Sequence, residues 1–156
     1  TLVVYFSAGG NTARAANLVA QNLGAEIVEL KPVQPYTNED LNYNDPKSRV
    51  SREHNDASLR IVPLTNAKIP GWESYEAVFV GYPIWWHDAA WPIDEFIKNN
   101  DFNGKKVIPF CTVYSSGLEN SDKNLAKKAN GGEWLAGKCF GERPSGKEIK
   151  EWLAKF

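Results

Sequence analysis

Short apolar runs alternate along this chain with amphipathic stretches of helical length. Leu2 to Phe6 is an unbroken apolar run, β-branched and aromatic in character, which suits a strand buried on both faces as in a parallel sheet. The polarity changes at Ser7. Six small or polar residues follow, and from Ala13 to Leu23 the residues Ala15, Ala16, Val19 and Leu23 recur at helical spacing. Gly24 supplies a C-terminal stop. Ala25 to Leu30 reads as a second strand, so the opening of the chain predicts a βαβ unit with a right-handed crossover.

The alternation resumes later. Ala77 to Tyr82 predicts a third strand, and Trp91 to Lys98 a helix started by Pro92 and buried through Ile93, Phe96 and Ile97. Lys106 to Thr112 predicts a fourth strand. Asn120 to Ala129 predicts a polar helix with Leu125 inward, ended by Gly131 and Gly132. Glu133 to Phe140 holds a short fifth strand, and Ser145 with Glu148 forms a capping box for a last helix whose apolar face is Ile149, Trp152 and Leu153. Between the second and third strands, residues 31–72 are polar and broken by Pro32, Pro35, Pro46, Pro63 and Pro70; a short helix near Asn38 to Tyr43 is the one regular element they suggest. Tyr36, Tyr43, Leu59, Ile61, Val62 and Leu64 would pack this segment onto the domain. Loops of this length tend to be functional or disordered. Arg49, Arg52 and Arg60 offer either an anion clamp or surface ion pairs with Asp45, Glu53 and Asp56. Strand–helix alternation from end to end predicts a doubly wound α/β domain around a mostly parallel sheet.

Composition narrows the possibilities. A chain of 156 residues suits one domain, residues 1–156, able to bury roughly 70% of its unfolded surface without staples. A net charge of −1 gives no nucleic-acid footprint. Residues 73–104 carry six acidic groups against one basic, and residues 105–156 ten basic against six acidic, which reads as two solvated faces. Cys111 and Cys139 stand in no metal or CxxC spacing, and Cys111, in an apolar run, reads as a buried thiol. Two histidines are too few for a histidine metal centre. There is no run of eighteen apolar residues and no visible signal peptide, so no membrane span is expected and the cytoplasm is the default compartment.

The candidate chemistry lies in three loops that follow three strands. In the first, Ser7, Ala8, Gly9, Gly10, Asn11 and Thr12 precede a helix N-terminus, whose unpaired N–H groups and dipole favour an anion. With no lysine or arginine in the turn, a phosphate would be held by neutral donors; the alternative is a plain helix cap by Asn11 or Ser7. The turn is neither a Walker loop nor a dinucleotide fingerprint. The second loop, Pro83, Ile84, Trp85, Trp86 and His87, places two tryptophans side by side. Adjacent residues point in different directions, so at least one ring should be exposed, as a stacking platform rather than a core anchor. The third, Thr112, Val113, Tyr114, Ser115, Ser116 and Gly117, is hydroxyl-rich with one aromatic. In a doubly wound sheet such loops meet beyond the carboxyl ends of the strands. A phosphate at one end and a flat, partly apolar ring at the other describe flavin mononucleotide.

The sequence resembles the short-chain, bacterial flavodoxin-like proteins over essentially its whole length. Ser7 to Thr12 is similar to the family's Ser-x-Thr-Gly-Asn-Thr loop, with Gly9 where threonine is usual. Gly81 to Trp86 matches a Gly-Tyr-Pro-Ile-Trp-Trp second loop, with His87 where glycine is common, and Thr112 to Gly117 corresponds to the third. The resemblance implies a flavodoxin-like three-layer sandwich with a five-stranded parallel sheet of order 2-1-3-4-5. It also implies noncovalent FMN and redox chemistry by the flavin, with no protein side chain as acid or nucleophile. Three readings follow: an electron carrier between protein partners, an FMN-dependent NAD(P)H:quinone-type oxidoreductase, and a binding module that has lost flavin.

Overall fold

The computed structural model describes residues 1–113 and 117–156. Strand β1 (Leu2–Tyr5), helix α1 (Asn11–Leu23) and strand β2 (Glu26–Glu29) form the opening βαβ unit. Then come α2 (Arg49–Asn55), β3 (Ala77–Trp85), β4 (Asp88–Ala89), α3 (Ile93–Asn99), β5 (Lys106–Thr112), α4 (Ser121–Lys128), β6 (Glu133–Trp134), β7 (Lys138–Phe140) and α5 (Gly146–Leu153). The sheet runs β2-β1-β3-β5, with β6 and β7 both paired to the outer side of β5, and every one of these pairings is parallel. This is the five-position, doubly wound order 2-1-3-4-5.

Three layers follow from which way each strand residue points. Val3, Tyr5, Phe79, Ile108, Phe110 and Phe140 face α1 and α5 and pack on Ala15, Ala16, Val19, Ile149 and Trp152. Leu2, Val4, Val78, Val80, Tyr82 and Val107 face the other way, onto Ile93, Phe96, Ile97 and Leu125 of α3 and α4. The buried central strands are continuous apolar runs because both of their faces are covered. Gly81 makes room on the first face: a Cβ there would come within 2.4 Å of the Phe110 ring. Gly24 ends α1 at φ 59°, and Ser145 Oγ accepts the Glu148 N–H (3.1 Å) to start α5.

Several elements differ from the sequence expectation. Leu23 is exposed, and Ala20 completes the buried stripe of α1 instead. Residues 38–43 form turns rather than a helix; the helix of this segment is α2, opened by Ser48, whose hydroxyl accepts the Ser51 N–H, and buried through Val50 and Glu53. With Val50 as its one apolar residue, α2 shows no apolar period. The fifth strand is split in two. In β5 the backbone groups of Lys105, Val107, Cys111 and Val113 point to the outer edge, and Pro109 lies in phase with them but has no N–H to offer. The pairing fails at that point, where Gly137 passes so close that a Cβ would meet the Pro109 carbonyl at 2.9 Å. Finally, Cys111 is not a free thiol. It stands in register with Cys139 on β7, Cα to Cα 4.6 Å, and the two form a disulfide. The cysteines are 28 residues apart in sequence, a distance that gives no hint of the pairing. Among the described residues, no helix is long and apolar enough to cross a membrane.

Candidate functional site

The first loop is built to start a helix. The chain leaves β1 with the Phe6 N–H donating to the Gly81 carbonyl (3.0 Å) and turns into α1 through Gly10 at φ 98°. Glycine carries this conformation at no steric cost. Ser7 Oγ accepts the Ala13 N–H (3.1 Å) and the Gly10 carbonyl accepts that of Arg14 (3.0 Å). The N–H groups of Asn11 and Thr12, first in the helix, have no intrahelical acceptor. Thr12 is buried, and its hydroxyl lies 2.7 Å from that of Thr112 at the end of β5. One hydrogen of such a hydroxyl pair closes the bond, and the other remains free to donate outward.

The second loop is a hairpin. Strand β3 continues past Tyr82 to Trp85, so Pro83, Ile84 and Trp85 are strand residues rather than loop residues. The chain then reverses into antiparallel β4, with Ile84 opposite Ala89 and Trp85 opposite Asp88. The two reversing residues, Trp86 and His87, have φ of 45° and 65°, the double positive φ of a type I′ turn, although neither is Gly, Asn or Asp. Trp85 turns inward, its ring edge-on to Phe6, Tyr36 and Trp91. Trp86 is 37% exposed and lies flat against His54, ring centroids 4.2 Å apart. His87 points to solvent, its Nδ1 2.9 Å from Glu119 Oε1, and that carboxylate raises its pKa above the usual 6.5. In the third loop, Val113 N–H donates to the Phe140 carbonyl (3.1 Å) and Gly117 is exposed; Tyr114 and Ser115 lie outside the described residues.

The three loops meet at the carboxyl ends of β1, β3 and β5, around a cavity of about 230 Å³. Its wall comprises Ala8, Gly9, Asn11 and Thr12 from the first loop, Pro83, Ile84, Trp85 and Trp86 from the second, and Thr112 and Val113 from the third. Leu41, Tyr43 and Val50 close it from the 31–72 segment. The wall is mostly apolar, with a few neutral polar groups from Asn11, Thr12, Tyr43 and Thr112; among the described residues it contains no carboxylate, lysine, arginine or histidine. Such a wall suits a phosphate tail at the α1 end and a flat ring at the tryptophan end.

The sequence matches the flavodoxin family over residues 1–156. The chain belongs to the flavodoxin family. Its structure is similar to that of a candidate flavoprotein from Bacteroides eggerthii, at 39% identity over 99% of this chain and 95% of that one, with a TM-score of 0.88. One from Bacteroides uniformis matches with 39% identity, 98% and 96% coverage and a TM-score of 0.89. A flavoprotein from Lactobacillus acidophilus, solved in complex with FMN, shares the fold at 18% identity, 97% coverage of each chain and a TM-score of 0.67. No curated protein matches the sequence.

In this flavodoxin-family protein, four of the expected site residues that the structure describes lie outside the cavity wall: Ser7 and Gly10 shape the first turn, His87 pairs with Glu119 in solvent, and Gly117 is exposed. The arginine clamp is not assembled. Arg49 ion-pairs with Glu53 (3.3 Å) and donates to the Gln34 carbonyl (2.7 Å), Arg52 donates to the Lys47 carbonyl (3.2 Å) and Arg60 to the Glu53 carbonyl (2.8 Å). Glu53 is no surface partner either. At 6% exposure it accepts the Tyr36 hydroxyl (2.5 Å), Trp91 Nε1 (3.1 Å) and Arg49 Nε (3.3 Å), with the Arg49 guanidinium stacked 3.7 Å over the Tyr36 ring. Burial, then the neighbouring Glu53, raises the Tyr36 pKa far above its ordinary range. This hub fastens the long segment to the aromatic cluster. Leu41 and Val50 are invisible as site residues in the sequence, since neither carries chemistry of its own; His54, which lies on Trp86, stands there in no pattern that marks it, and Tyr43 reads only as a packing residue.

Proposed function

We propose that this protein binds FMN noncovalently in the strand-end cavity and serves as an electron carrier. The reading rests on one observation: all three strand-end loops line a single cavity whose wall carries both neutral donors and aromatic rings. Backbone N–H groups of Asn11 and Thr12, the helix dipole and the hydroxyls of Ser7 and Thr12 would hold the phosphate. Gly9 and Gly10 keep the approach open, for a Cβ at either meets nothing within 4 Å. Trp85, Trp86 and Tyr43 would flank the ring, while Pro83, Ile84, Thr112 and Val113 would face its edge; the expected roles of Tyr114 and Ser115 lie outside the described residues. His87 would cover the turn. FMN supplies the redox chemistry when bound. The apolar wall disfavours a charged ring, and so lowers the reduction potential. The FMN complex of the Lactobacillus flavoprotein supports the same ligand here.

A redox partner protein is the natural counterpart of a carrier. The partly exposed Trp86 offers a contact for a second reactant, which favours an NAD(P)H:quinone-type reductase as the alternative. Titration with FMN, followed by visible absorbance and flavin fluorescence, tests the site. Quenched, bound flavin is expected; no binding at FMN on the order of tens of micromolar would leave a flavin-free binding module instead. Steady-state NAD(P)H oxidation with a quinone then separates the two redox readings: turnover without an added reductase identifies the enzyme, and its absence the carrier.

A further inference from the structure

The disulfide belongs to none of the roles above, and its position is informative. Cys111 is the penultimate residue of β5, directly before Thr112 and Val113 of the cavity wall. Its partner Cys139 is the middle residue of β7, an edge strand of three residues that, among the described residues, pairs only with β5. Below the bond the ladder is already broken at Pro109, so β7 gains no support from β6. Above it, the Phe140 carbonyl accepts the Val113 N–H (3.1 Å). The bond therefore clamps a weakly held strand beside the Val113–Phe140 contact, which ties the outer edge of the third loop's base, its inner edge being paired to β3 through Pro83 and Thr112. Access is one-sided: Cys111 is fully buried against Tyr82 and Leu125 in the core, whereas Cys139 is partly exposed. Opening the bond leaves Cys111 as a small apolar core residue, a state the fold tolerates.

We propose that Cys111–Cys139 is a reversible thiol–disulfide exchange site that takes a dithiol reductant and sets the tightness of the cavity wall. The reductant's thiolate attacks Cys139 Sγ. The Cys139–Cys111 bond breaks, Cys111 leaves as a thiolate and takes up a proton, and a mixed disulfide remains on Cys139. The second thiol of the reagent attacks its own sulfur in that mixed disulfide, closes a cyclic disulfide and releases Cys139 as a thiol. Two electrons pass from the dithiol to the protein. With the clamp open, β7 frays, Val113 loses its acceptor for part of the time, and the third-loop side of the cavity loosens. The consequence for FMN rests on the proposed function; the exchange chemistry does not.

The folded full-length protein is treated with dithiothreitol without denaturant, alkylated with N-ethylmaleimide and mapped by mass spectrometry, with amide hydrogen exchange at Val113 and FMN titrations run on both redox forms. Expected are alkylation at Cys139 ahead of Cys111 with unchanged circular dichroism, Val113 exchange faster by about tenfold or more, and FMN binding weaker by about fivefold or more. The Cys111→Ala/Cys139→Ala double variant should match the reduced form without reagent. Alkylation only in denaturant, or unchanged Val113 exchange after reduction, overturns the proposal and leaves a structural staple. Unchanged FMN affinity with faster exchange overturns its link to the cavity. If FMN binds neither form, the flavin reading fails, while labelling and exchange still decide the exchange site.

Discussion

The first and second strand-end loops meet the same demand, a reversal of the backbone through positive φ, with opposite residues. In the first, Gly10 takes φ 98° without strain, and the side chains around it are small. In the second, Trp86 and His87 occupy left-handed positions that glycine or asparagine would fill more easily. The contrast shows where each loop's chemistry resides. The first presents backbone N–H groups, so it needs an unstrained backbone and almost nothing of its side chains. The second presents rings, so aromatic identity overrides backbone comfort, and the strain is offset by anchoring on every side. Trp85 is wedged among Phe6, Tyr36 and Trp91, Trp86 lies on His54, and His87 is tied to Glu119.

The anchoring of the second loop should be its weak point. Glu53→Ala removes the shared acceptor of Tyr36, Trp91 and Arg49 and leaves a guanidinium and two donors unpaired. A loss of roughly 3–5 kcal/mol is expected in urea denaturation. If Glu53→Ala unfolds at the wild-type midpoint, the hub does not hold the hairpin. The first loop should break through its backbone instead. Gly10→Ala forces a Cβ into φ 98° and should cost about 1–2 kcal/mol, with FMN binding weakened in the same titration.

The side chains of the hairpin can be separated from its backbone. Trp86→Ala should leave stability close to wild type, because the ring is half exposed, and weaken FMN binding by about tenfold, using about 1–3 kcal/mol for stacking on an aromatic. Trp85→Ala should lower stability as well, since its ring is part of the packed cluster. Equal effects of the two substitutions on the denaturation midpoint would remove the distinction between anchor and platform.

The smallest expected effect is at His87. His87→Gly relieves the positive φ and should raise the thermal midpoint slightly despite the loss of an exposed ion pair. In the wild type, the His87 pKa is raised in the folded state by Glu119, so the pair's stabilisation is complete below the unfolded value of 6.5 and fades as pH rises through the folded value. The difference in midpoint between wild type and His87→Gly should therefore shrink on acidification and widen toward alkaline pH. A difference independent of pH would show that the Glu119 contact contributes nothing.

Most of the architecture was legible along the chain. The central strands are buried on both faces and read as plain apolar runs, and α1, α3 and α5 announce themselves by a stripe, a glycine stop, a proline start or a serine cap. The sheet order 2-1-3-4-5 and the meeting of three loops at one rim came from the resemblance and from the rule for doubly wound sheets, and the sheet bears both out. Helix α2 was not legible, since Val50 is its one apolar residue and leaves no period to read. The hairpin was hidden because Trp86-His87 lacks the usual turn residues.

What the sequence determined by itself is local: alternating strands and helices, a small, uncharged turn at Ser7–Thr12 leading into a helix, and a pair of tryptophans too large to share one core position. What only the tertiary structure decided is who meets whom across long separations. It brought Leu41, Tyr43 and Val50 to the same cavity as the tryptophans, buried Glu53 between Tyr36 and Trp91, joined Thr12 to Thr112, and paired Cys111 with Cys139. The physical reason is that local polarity specifies which face of an element is buried, whereas contacts between distant residues depend on strand register and chain return, which no short window of sequence contains.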